Sequence, residues 1–585
     1  MREAAGRWGF ILGLNALATA VTVGWKIASL RQLGPGQEYE SPFFHAMATS
    51  DWLGAVIATA FLAAAPLVPR RLDGLAQRLV AGVAGRTAAI AAVVVLVLGV
   101  CTQLVHRDYP YAMDEFAATF QAEVFAAGKT SGQWPPYAAP LMVSPLFATG
   151  QFFYCNYETG RIISQYWPCH ALLLAPFAFL DATWALNPLL AGVAILLIGS
   201  LARHVAGEKG AGLAVLLTLA SPAFYAYGIS FYSMMSHLVA NLLYARLLVQ
   251  PTPGRSVAAG LIGGIALALH NPFPHGLFAA PWIVWLLGSR RWVPAALVVA
   301  CSLTVFGLID GVWSRTKDSV RQSPTAVAVD DEEQASPDQG VAATLSWREF
   351  ASRAYSAAKG LCVPSVSGAL AGRTYSLVRE IAWDAPGLVG LAFLACVIGV
   401  RGPASALAGS AVCTLAGYAF VPFDPGLGWG SRYMFSTWFA LPVLAAIALT
   451  PSTKAGQSLT RCIVWAAVGS ALVCVPLRLF EIRSFIDSNL RRSPAPLLHA
   501  AAADLDRVWF FLAGGDDARQ DFIRNDPLFR HGPFILYGQG QHQDAKNIRL
   551  IAAQLGLEPF HGGSNPVGDM WVLEPPGRPP AHDVK

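Results

Sequence analysis

The sequence is poor in charged residues. Only 13% of its 585 residues are Asp, Glu, Lys or Arg, and 54% are hydrophobic, whereas a soluble globular chain carries about 25% charged residues. This deficit argues against a set of soluble domains and favours a polytopic membrane protein. The net charge of +5 is scattered without a basic patch, so the chain has no feature that indicates a nucleic-acid partner.

Patterns that mark metal or redox sites are also missing. The nine cysteines include no CxxC pair, and the histidines form no HExxH or HxxxH motif, so a zinc site is not indicated. Most cysteines lie in apolar runs, where they are most simply packed thiols. Cys155, Cys169 and Cys362 lie in segments that we place outside the membrane, and a disulfide between two of them is an open alternative.

The sequence instead contains a series of apolar segments. A membrane-spanning helix needs about 20 predominantly apolar residues, and about 13 segments approach that length. They lie at 8–29, 51–69, 86–106, 184–202, 211–228, 232–250, 256–269, 274–289, 292–311, 386–400, 403–421, 433–449 and 462–480. The N-terminal segment lacks an AxA-type cleavage site after a short apolar core, so we interpret it as a retained span.

Basic residues between the spans predict the orientation of the chain. They are Arg70, Arg71, Arg78, Arg86, Arg203, Lys209, Arg255, Arg290, Arg291, Arg401, Lys454 and Arg461. The positive-inside bias places these turns and the N-terminus in the cytoplasm. The segments 107–165, 312–384 and 481–585 then lie outside. The Ala-rich chain carries no evident organelle signal, which favours a bacterial inner membrane.

We divide the chain into two N-terminal transmembrane helices (1–85), a transmembrane region with long outer loops (86–480) and an extracytoplasmic α/β domain (481–585). In that domain GPFILYGQG predicts a strand, and NIRLIAAQLGLEP predicts an amphipathic helix ending at Gly556. The apolar stretch 166–180 would break the alternation if it crossed the membrane. We therefore predict a short re-entrant or surface-lying helix, which implies a cavity on the outer side. The polar run at 318–340 is typical of a disordered segment.

An acidic pair follows the third span. In YPYAMDEFAATFQAEVFAAGK (109–129), Asp114 and Glu115 precede an apolar stripe with helical spacing. One interpretation is an interfacial amphipathic helix whose acids face water. The other is a carboxylate at the mouth of an outer cavity that serves as a general base, with a pKa raised by a neighbouring carboxylate or by low dielectric. Glu123, two turns further on, is predicted to be solvated.

Three histidines are predicted at the outer ends of spans. His237 lies in FYSMMSHLVANLLY, and His270 and His275 lie in ALALHNPFPHGLF. Ionisable groups at this depth are costly and often functional, so they are candidate substrate contacts. A hydrogen bond to a helix carbonyl is the alternative.

The outer segments also contain an Arg-Tyr pair. Arg432 and Tyr433 lie in GLGWGSRYMF (426–435), where glycines permit close approach of the backbone to a ligand and a guanidinium suits a phosphate. The alternative is a snorkelling Arg beside an aromatic belt. Tyr166, which opens the short apolar helix, could line a lipid groove or anchor at headgroup depth, and Arg161 is a further possible phosphate contact.

In their order along the chain, these elements resemble the GT-C superfamily of integral-membrane glycosyltransferases. The nearest branch is the polyprenyl/dolichyl-phosphate-sugar-dependent one, which includes protein O-mannosyltransferases and the lipid A aminoarabinose transferase. The resemblance covers about residues 86–450 and rests on the acidic pair, SQYWPCHALLLAPF, LASPAFYAYG…SHLVANLLYARLLV and the Gly-rich Arg-Tyr loop. The chain departs from the family's Pro-rich segment at two positions. Trp167 separates Tyr166 from Pro168, and Cys169 follows Pro168 where the family has a further Pro or Gly.

The resemblance implies an all-α GT-C-like fold with outer juxtamembrane helices and a glycosyltransferase site on the periplasmic side. Asp114 would be the general base and Glu115 its acidic partner. Arg432, and after it Arg161 and His270, would stabilise the departing phosphate. Some relatives bind a divalent cation through the acidic loop, so Mg²⁺ or Mn²⁺ on Asp114 and Glu115 is an open alternative.

The implied partners are a polyprenyl-phosphate-linked sugar as donor, a protein, lipid or glycan acceptor, and the lipid bilayer. Two other classes of function stay open. A transporter or flippase would need ionisable or broken-helix sites near the membrane midplane, and often repeats, neither of which the sequence shows. A non-enzymatic envelope scaffold would use the outer tail, which we expect to be accessory to transfer.

Overall fold

The apolar segments form helices because a backbone in hydrocarbon must satisfy its own amides and carbonyls. The computed structural model describes residues 2–32, 50–148, 150–321, 366–419, 429–430, 432–450, 454–494, 498, 505–513 and 520–577. In chain order, the first helices are α1 (Arg2–Gln32), α2 (Asp51–Ala64), α3 (Asp73–Gly85), α4 (Thr87–Leu104), α5 (Met113–Ala126), α6 (Pro145–Ala148), α7 (Cys169–Phe179), α8 (Leu186–Leu219) and α9 (Pro222–Gly228).

The second half of the chain continues the helical bundle. Its helices are α10 (Met234–Leu248), α11 (Pro253–Leu267), α12 (Phe273–Gly288), α13 (Trp292–Arg321), α14 (Val366–Trp383), α15 (Leu388–Ile398), α16 (Pro403–Ala419), α17 (Ala440–Leu449), α18 (Lys454–Gly469), α19 (Val475–Arg491) and α20 (Gln541–Leu555). A π-helical turn, Ser470–Cys474, joins α18 to α19.

Within the described ranges, five helices are long and apolar enough to cross a membrane, or up to seven if each of two bent pairs is one span. The chain is therefore a multi-pass integral membrane protein. The sequence predicted about 13 spans, which is more than the number of described helices that are long and apolar enough. The difference arises because several predicted spans are shorter helices: α17, for example, covers only Ala440–Leu449 of the predicted 433–449.

The predicted spans 184–202 and 211–228 lie in α8 and α9. Gly207 interrupts α8 with a φ of 74°, a left-handed conformation that glycine adopts without strain. A Cβ placed on Gly199 would lie 3.4 Å from Cγ2 of Val215, and these two positions are equally far along the chain from Gly207. The two arms of α8 therefore fold back on one another, which agrees with the prediction of two separate spans.

Two predicted boundaries differ from the structure. Helix α13 continues to Arg321, past the predicted end at 311, and the rest of the polar run to residue 340 lies outside the described residues. Helix α19 continues to Arg491, past the end of the predicted span at 480. In both cases the helix extends beyond its apolar stretch because hydropathy marks the hydrocarbon boundary, whereas backbone hydrogen bonding continues into water.

The short helix α7 lies where the sequence predicts one within 166–180. Its 11 residues span about 16 Å, about half of a bilayer core of about 30 Å. Backbone amides of Trp167, Cys169 and His170 donate to the carbonyls of His270, Ala268 and Leu269. These bonds join the start of α7 to the turn between α11 and α12.

Two small sheets lie beyond the ends of the helices. One is antiparallel in the order β1-β3-β2, formed by β1 (Gly132–Gln133), β2 (Phe153–Asn156) and β3 (Arg161–Ser164). The other has the order β5-β4-β7-β6, formed by β4 (Val508–Leu512), β5 (Phe534–Tyr537), β6 (Glu558–Asn565) and β7 (Gly568–Glu574). β4 pairs with β5 in parallel and with β7 in antiparallel.

The predicted strand and helix of the tail are both present. Strand β5 lies within GPFILYGQG, and α20 ends at Leu555 with Gly556 in the left-handed conformation as its cap. These elements pack against the segment 107–165, which follows α4. One apolar core contains Phe120 and Trp134 of that region together with Trp509 and Ile548 of the tail. This packed layer is therefore built from both segments.

A buried charge network ties three helices of the bundle together. Asp51, which is fully buried, lies 2.8 Å from Nε of Arg379, and Trp383 donates its indole N–H to the same carboxylate at 2.7 Å. Arg478 donates to the backbone carbonyls of Asp51 and Ala382. Buried charges persist only when paired and hydrogen-bonded, so this network fixes α2, α14 and α19 relative to one another.

Candidate active site

Helix α5 begins at the acidic pair, and Glu115 holds its first turn. The backbone amides of Tyr111 and Ala112 donate to Oε2 of Glu115 at 2.7 and 3.1 Å, and the amide of Phe231 donates to Oε1 at 2.9 Å. His106 Nε2 lies 3.7 Å from Oε1. Glu115 is fully buried, so its carboxylate satisfies backbone donors of the helix start and of the segment before α10.

Asp114 faces a different direction and contacts side chains from distant segments. Arg432 Nη1 donates to its Oδ2 at 2.8 Å, and the Tyr166 hydroxyl donates to its Oδ1. Consecutive residues on a helix point about 100° apart, which separates the two acids. The side chain of Asp114 keeps 20% of its surface exposed, so a small molecule can reach it.

Arg432 lies in a 3₁₀ turn, Arg432–Met434, just before α17. It is 4% exposed. Its guanidinium carbon lies 4.2 Å from the ring centre of Tyr232 and 5.8 Å from that of Tyr433, and Tyr433 stacks on Tyr418 at 4.9 Å. Arg432 is therefore a buried cation held by a carboxylate and by aromatic faces.

Tyr166 and His270 are the other two members of the cluster around Asp114. Their rings stack with centres 3.8 Å apart. Burial lowers the pKa of His270 to about 3, even though the nearby charge of Asp114 acts to raise it. The imidazole is neutral at pH 7, so His270 can contribute a hydrogen bond or a ring face but no fixed positive charge.

The electrostatics of Asp114 result from two opposing effects. Burial by itself raises the pKa of this carboxyl, but the charge of Arg432 and the hydrogen bonds from Arg432 and the Tyr166 hydroxyl outweigh it. The pKa therefore lies below its usual value and is not raised as the sequence analysis predicted. Burial and the charge of Asp114 in turn raise the pKa of Tyr166. At neutral pH the cluster consists of a carboxylate, a guanidinium and a phenol that stays protonated.

Arg161, His275 and His237 are not brought into this cluster. Arg161 donates to the hydroxyls of Ser131 and Ser319. His275 bonds the side chain of Asn241 at 2.7 Å, and His237 is buried with no hydrogen-bond partner among the described residues. Both histidines lie inside the bundle, within α12 and α10.

The acidic pair does not provide the ligands of a cation. Both oxygens of Asp114 are engaged by Arg432 and Tyr166, and Glu115 is turned to backbone amides. No group of three or more His, Cys, Asp or Glu side chains that could hold a metal is found in the part of the chain that the structure describes. Mg²⁺ and Mn²⁺ prefer several oxygen ligands, so this arrangement does not fit the divalent cation that the resemblance left open as an alternative.

The disulfide considered from the sequence is not formed between the two described cysteines. Cys155 and Cys169 are both free thiols, and burial raises the pKa of Cys155 to about 12. Cys155 is on strand β2 and Cys169 opens α7. The third candidate, Cys362, lies outside the described residues.

A polar cavity of about 400 Å³ opens beside the far end of α5. Its charged lining residues come from α5, from the end of α7 and from the tail: Glu123, Asp181, Arg524, Asp526, Arg530 and His531. Glu123, predicted to be solvated, is instead half-buried there. Burial, and after it the charge of Asp526, raises the pKa of Glu123 to about 7.

The sequence pattern did not identify Tyr232, Asp521 or Arg524. Arg524 donates to the backbone carbonyls of Pro110 and Tyr111, immediately before the acidic pair. Burial raises the pKa of Asp521 to about 7; the charge of Arg524 opposes this effect and the charge of Asp114 adds to it. More than 400 residues separate Asp521 and Arg524 from Asp114 along the chain, and no spacing rule could have joined them.

No family model and no curated protein matches the sequence significantly. Among solved structures, ArnT from Cupriavidus metallidurans bound to undecaprenyl phosphate is similar, with a TM-score of 0.51, 12% identity, and coverage of 84% of this chain and 98% of ArnT. ArnT from the same organism in the apo state gives 0.51, 13%, 83% and 97%. The resemblance predicted from the sequence is thus supported at the level of the fold. Over most of its length, the chain has the fold of ArnT.

Proposed function

We propose that the chain is a membrane glycosyltransferase. It moves a sugar from a polyprenyl-phosphate donor to an acceptor hydroxyl, with Asp114 as the base. The observation that carries this proposal is the contact between Asp114 and Arg432 in a chain with the fold of ArnT, which has been crystallised with undecaprenyl phosphate. The reaction needs a base for the acceptor and a cation for the leaving phosphate, and these two residues supply both.

The chemistry follows from the two partners. The acceptor oxygen attacks the anomeric carbon, the bond from that carbon to the phosphate oxygen breaks, and the polyprenyl phosphate leaves with the electron pair. The proton of the acceptor hydroxyl passes to a carboxylate oxygen of Asp114. A single displacement of this kind inverts the configuration at the anomeric carbon.

Arg432 has a role before and during that step. Its guanidinium is permanently charged and suits a phosphate, and negative charge grows on the phosphate as the bond breaks. When the donor phosphate binds the guanidinium of Arg432, it offsets part of the positive charge that lowers the pKa of Asp114. The burial of Asp114, which raises that pKa, remains. The carboxylate therefore becomes a stronger base once the donor has bound.

Tyr166 orients the base through its hydrogen bond to Oδ1 and leaves Oδ2 for Arg432. His270, stacked on Tyr166, holds that phenol in place as a neutral ring. Tyr232 does the same for the guanidinium of Arg432. We regard these three as positioning residues and Asp114 and Arg432 as the catalytic pair.

The proposed location of the site is the periplasmic side of a bacterial inner membrane. Helix α4 connects Arg86, one of the basic residues expected in the cytoplasm, to the segment that carries Asp114 at its other end. The positive-inside bias thus assigns Asp114 to the outer side. The acceptor is a hydroxyl of a protein, lipid or glycan on that side.

The substitution Asp114→Asn tests the proposal. It keeps the shape and the hydrogen bond from Tyr166 but removes the base, and we expect sugar transfer to fall by a factor of about 10²–10⁴. The measurement is transfer from a radiolabelled polyprenyl-phosphate sugar to membrane acceptors, with protein abundance followed by immunoblot. Glu208→Gln serves as the control, because Glu208 is exposed and pairs with Arg203 at the other end of the bundle.

Full transfer by the Asn variant would remove Asp114 from the mechanism. Energy-dependent solute uptake by proteoliposomes, without a covalent product, would favour a transporter instead. Unchanged envelope glycans in a strain without the protein, measured by mass spectrometry, would favour a scaffold.

A further inference from the structure

A second cavity lies at the end of the bundle opposite to Asp114. It has a volume of about 520 Å³ and lies between α3, α4, the end of α8 and α9. Its walls are mainly aliphatic, and Val93 and Val97 on α4 are 57% and 42% exposed. These valines face the surroundings of the bundle, so the cavity opens laterally towards lipid.

The charged residues among the described lining of this cavity are both arginines, Arg78 and Arg86. Both side chains are exposed. Arg78 lies on α3, and Arg86 lies at the junction of α3 and α4. The cavity is therefore an apolar trough with two positive charges at one end.

The dimensions of the trough match one leaflet of a bilayer. From Arg86 to Val97 the helical rise of α4 amounts to about 16 Å, which is half of a hydrocarbon core of about 30 Å. The segment that contains α3 bends by 101° from α2, so α3 runs across the end of the bundle at the membrane surface. The two arginines then lie at headgroup depth, and the valines lie among acyl chains.

We propose that this trough binds an anionic phospholipid of the leaflet opposite to the one that Asp114 faces. An acyl chain fills the aliphatic walls along α4, and the headgroup phosphate lies between Arg78 and Arg86. A basic pocket between transmembrane helices on the cytoplasmic side is a typical site for an anionic headgroup. The trough is separate from the catalytic pair, because the 18 residues of α4 place about 27 Å between its ends.

The experiment compares lipids and variants of the full-length protein in detergent by native mass spectrometry. The probes are dioleoylphosphatidylglycerol and the zwitterionic dioleoylphosphatidylcholine. The double variant Arg78→Ala/Arg86→Ala removes the charges of the trough. Arg70→Ala/Arg71→Ala is the matched control, because these two exposed arginines lie just before α3 and do not line the cavity.

We expect phosphatidylglycerol to form a retained one-to-one adduct and phosphatidylcholine to bind far less. Since each basic residue near an anionic lipid contributes about a fivefold gain in affinity, the double variant should bind phosphatidylglycerol about 30-fold more weakly. The matched control should bind it as the native protein does. Val93→Trp, which fills the trough at an exposed position and leaves both arginines, should also lose the adduct.

Equal loss in the two double variants would overturn the proposal, because binding would then reflect general surface charge. If the Val93→Trp variant retains the adduct, the aliphatic walls of the trough do not bind the acyl chain and the proposal is wrong. Displacement of phosphatidylglycerol by an equimolar polyprenyl phosphate would assign the trough to the donor lipid. Gel filtration and thermal unfolding of each variant verify that the fold is retained.

Discussion

Asp114 and Glu115 are neighbours in the chain with different surroundings. Glu115 is fully buried and accepts three backbone amide bonds, whereas Asp114 is partly exposed and touches a guanidinium and a phenol. A carboxylate that saturates backbone donors supports structure, because any proton transfer would break those bonds. The structure therefore favours Asp114 as the base and Glu115 as a residue that builds the start of the helix.

This difference predicts the outcome of Glu115→Ala. The substitution leaves the amides of Tyr111, Ala112 and Phe231 buried without an acceptor, and we expect it to cost about 3 kcal/mol of stability. The amount of folded protein, measured by fluorescence-detected gel filtration, should fall, while turnover per folded molecule stays within a few fold. Glu558→Ala, at an exposed site, is the control. A loss of turnover equal to that of Asp114→Asn would instead place Glu115 in the reaction.

Arg432→Gln tests the electrostatic link between the catalytic pair. Arg432 is the strongest influence that lowers the pKa of Asp114, and burial, which raises it, persists in the variant. The acid limb of the pH–rate profile should therefore move to higher pH, because Asp114 remains protonated over a wider range. Transfer at the optimum should also fall by about 10²–10³ through loss of the charge near the phosphate.

Arg161→Gln is the matched control for that variant, since Arg161 bonds Ser131 and Ser319 away from the cluster. We expect it to leave the profile in place. An unshifted acid limb in Arg432→Gln would show that Asp114 is not the titrating base.

At the scale of elements, the loop before α5 is held by the tail. Arg524 donates to the carbonyls of Pro110 and Tyr111, and its guanidinium lies 4.3 Å from the ring centre of Tyr109. Asn525 donates to the carbonyl of Met142 at 2.8 Å. A segment of the C-terminal tail thus fixes the backbone shortly before Asp114.

We therefore expect Arg524→Gln to lower the turnover about tenfold to a hundredfold through misplacement of Asp114. Arg524 acts as a positioning residue, so the KM for the donor and the acid limb of the pH profile should not change. Arg524→Lys should restore part of the rate. Arg530→Gln is the control, because Arg530 is exposed and pairs with Asp526 within the tail. A changed donor KM with an unchanged turnover would indicate a binding role instead.

At the scale of the whole molecule, the segment that follows α4 and the C-terminal tail form one packed unit. The core that contains Phe120 and Trp134 also contains Trp509, Phe534 and Ile548. The amide of Gln133 donates to the carbonyl of Pro527, and the amide of Tyr537 donates to that of Leu141. The sequence analysis predicted that the tail is accessory to transfer. From these contacts we instead expect that transfer requires the tail.

Removal of residues 505–585 should therefore destabilise this packed unit and abolish transfer. The truncation exposes the apolar side chains of the shared core, each of which contributes about 1.5–3 kcal/mol when buried. Limited proteolysis in inside-out and right-side-out vesicles compares the truncated protein with the full-length one. The truncated protein should show new cleavage between residues 113 and 165. Retained transfer with an unchanged cleavage pattern would show that the tail is dispensable.

The sequence by itself determined the features that depend on local composition. The low charge and long apolar segments predict a membrane protein, and helical spacing predicts α5 behind the acidic pair. Amphipathic spacing predicts α20 and its end at Gly556. Hydropathy and periodicity act over a few turns of the chain, so each of these features is visible in a short window. The short α7 is predicted from the order of the spans, because a full crossing by 166–180 would break their alternation.

Only the tertiary structure decided which side chains meet. Asp114, Tyr166 and Arg432 come from three segments of the chain, and more than 250 residues separate Tyr166 from Arg432. Arg524, in the tail, bonds the backbone of Tyr111 that precedes Asp114. The same packing turned Glu115 to the backbone and left Arg161 outside the cluster. Pairing of this kind depends on how helices and loops pack in three dimensions. Side-chain direction and burial, which set the charge of each group, arise only from that packing.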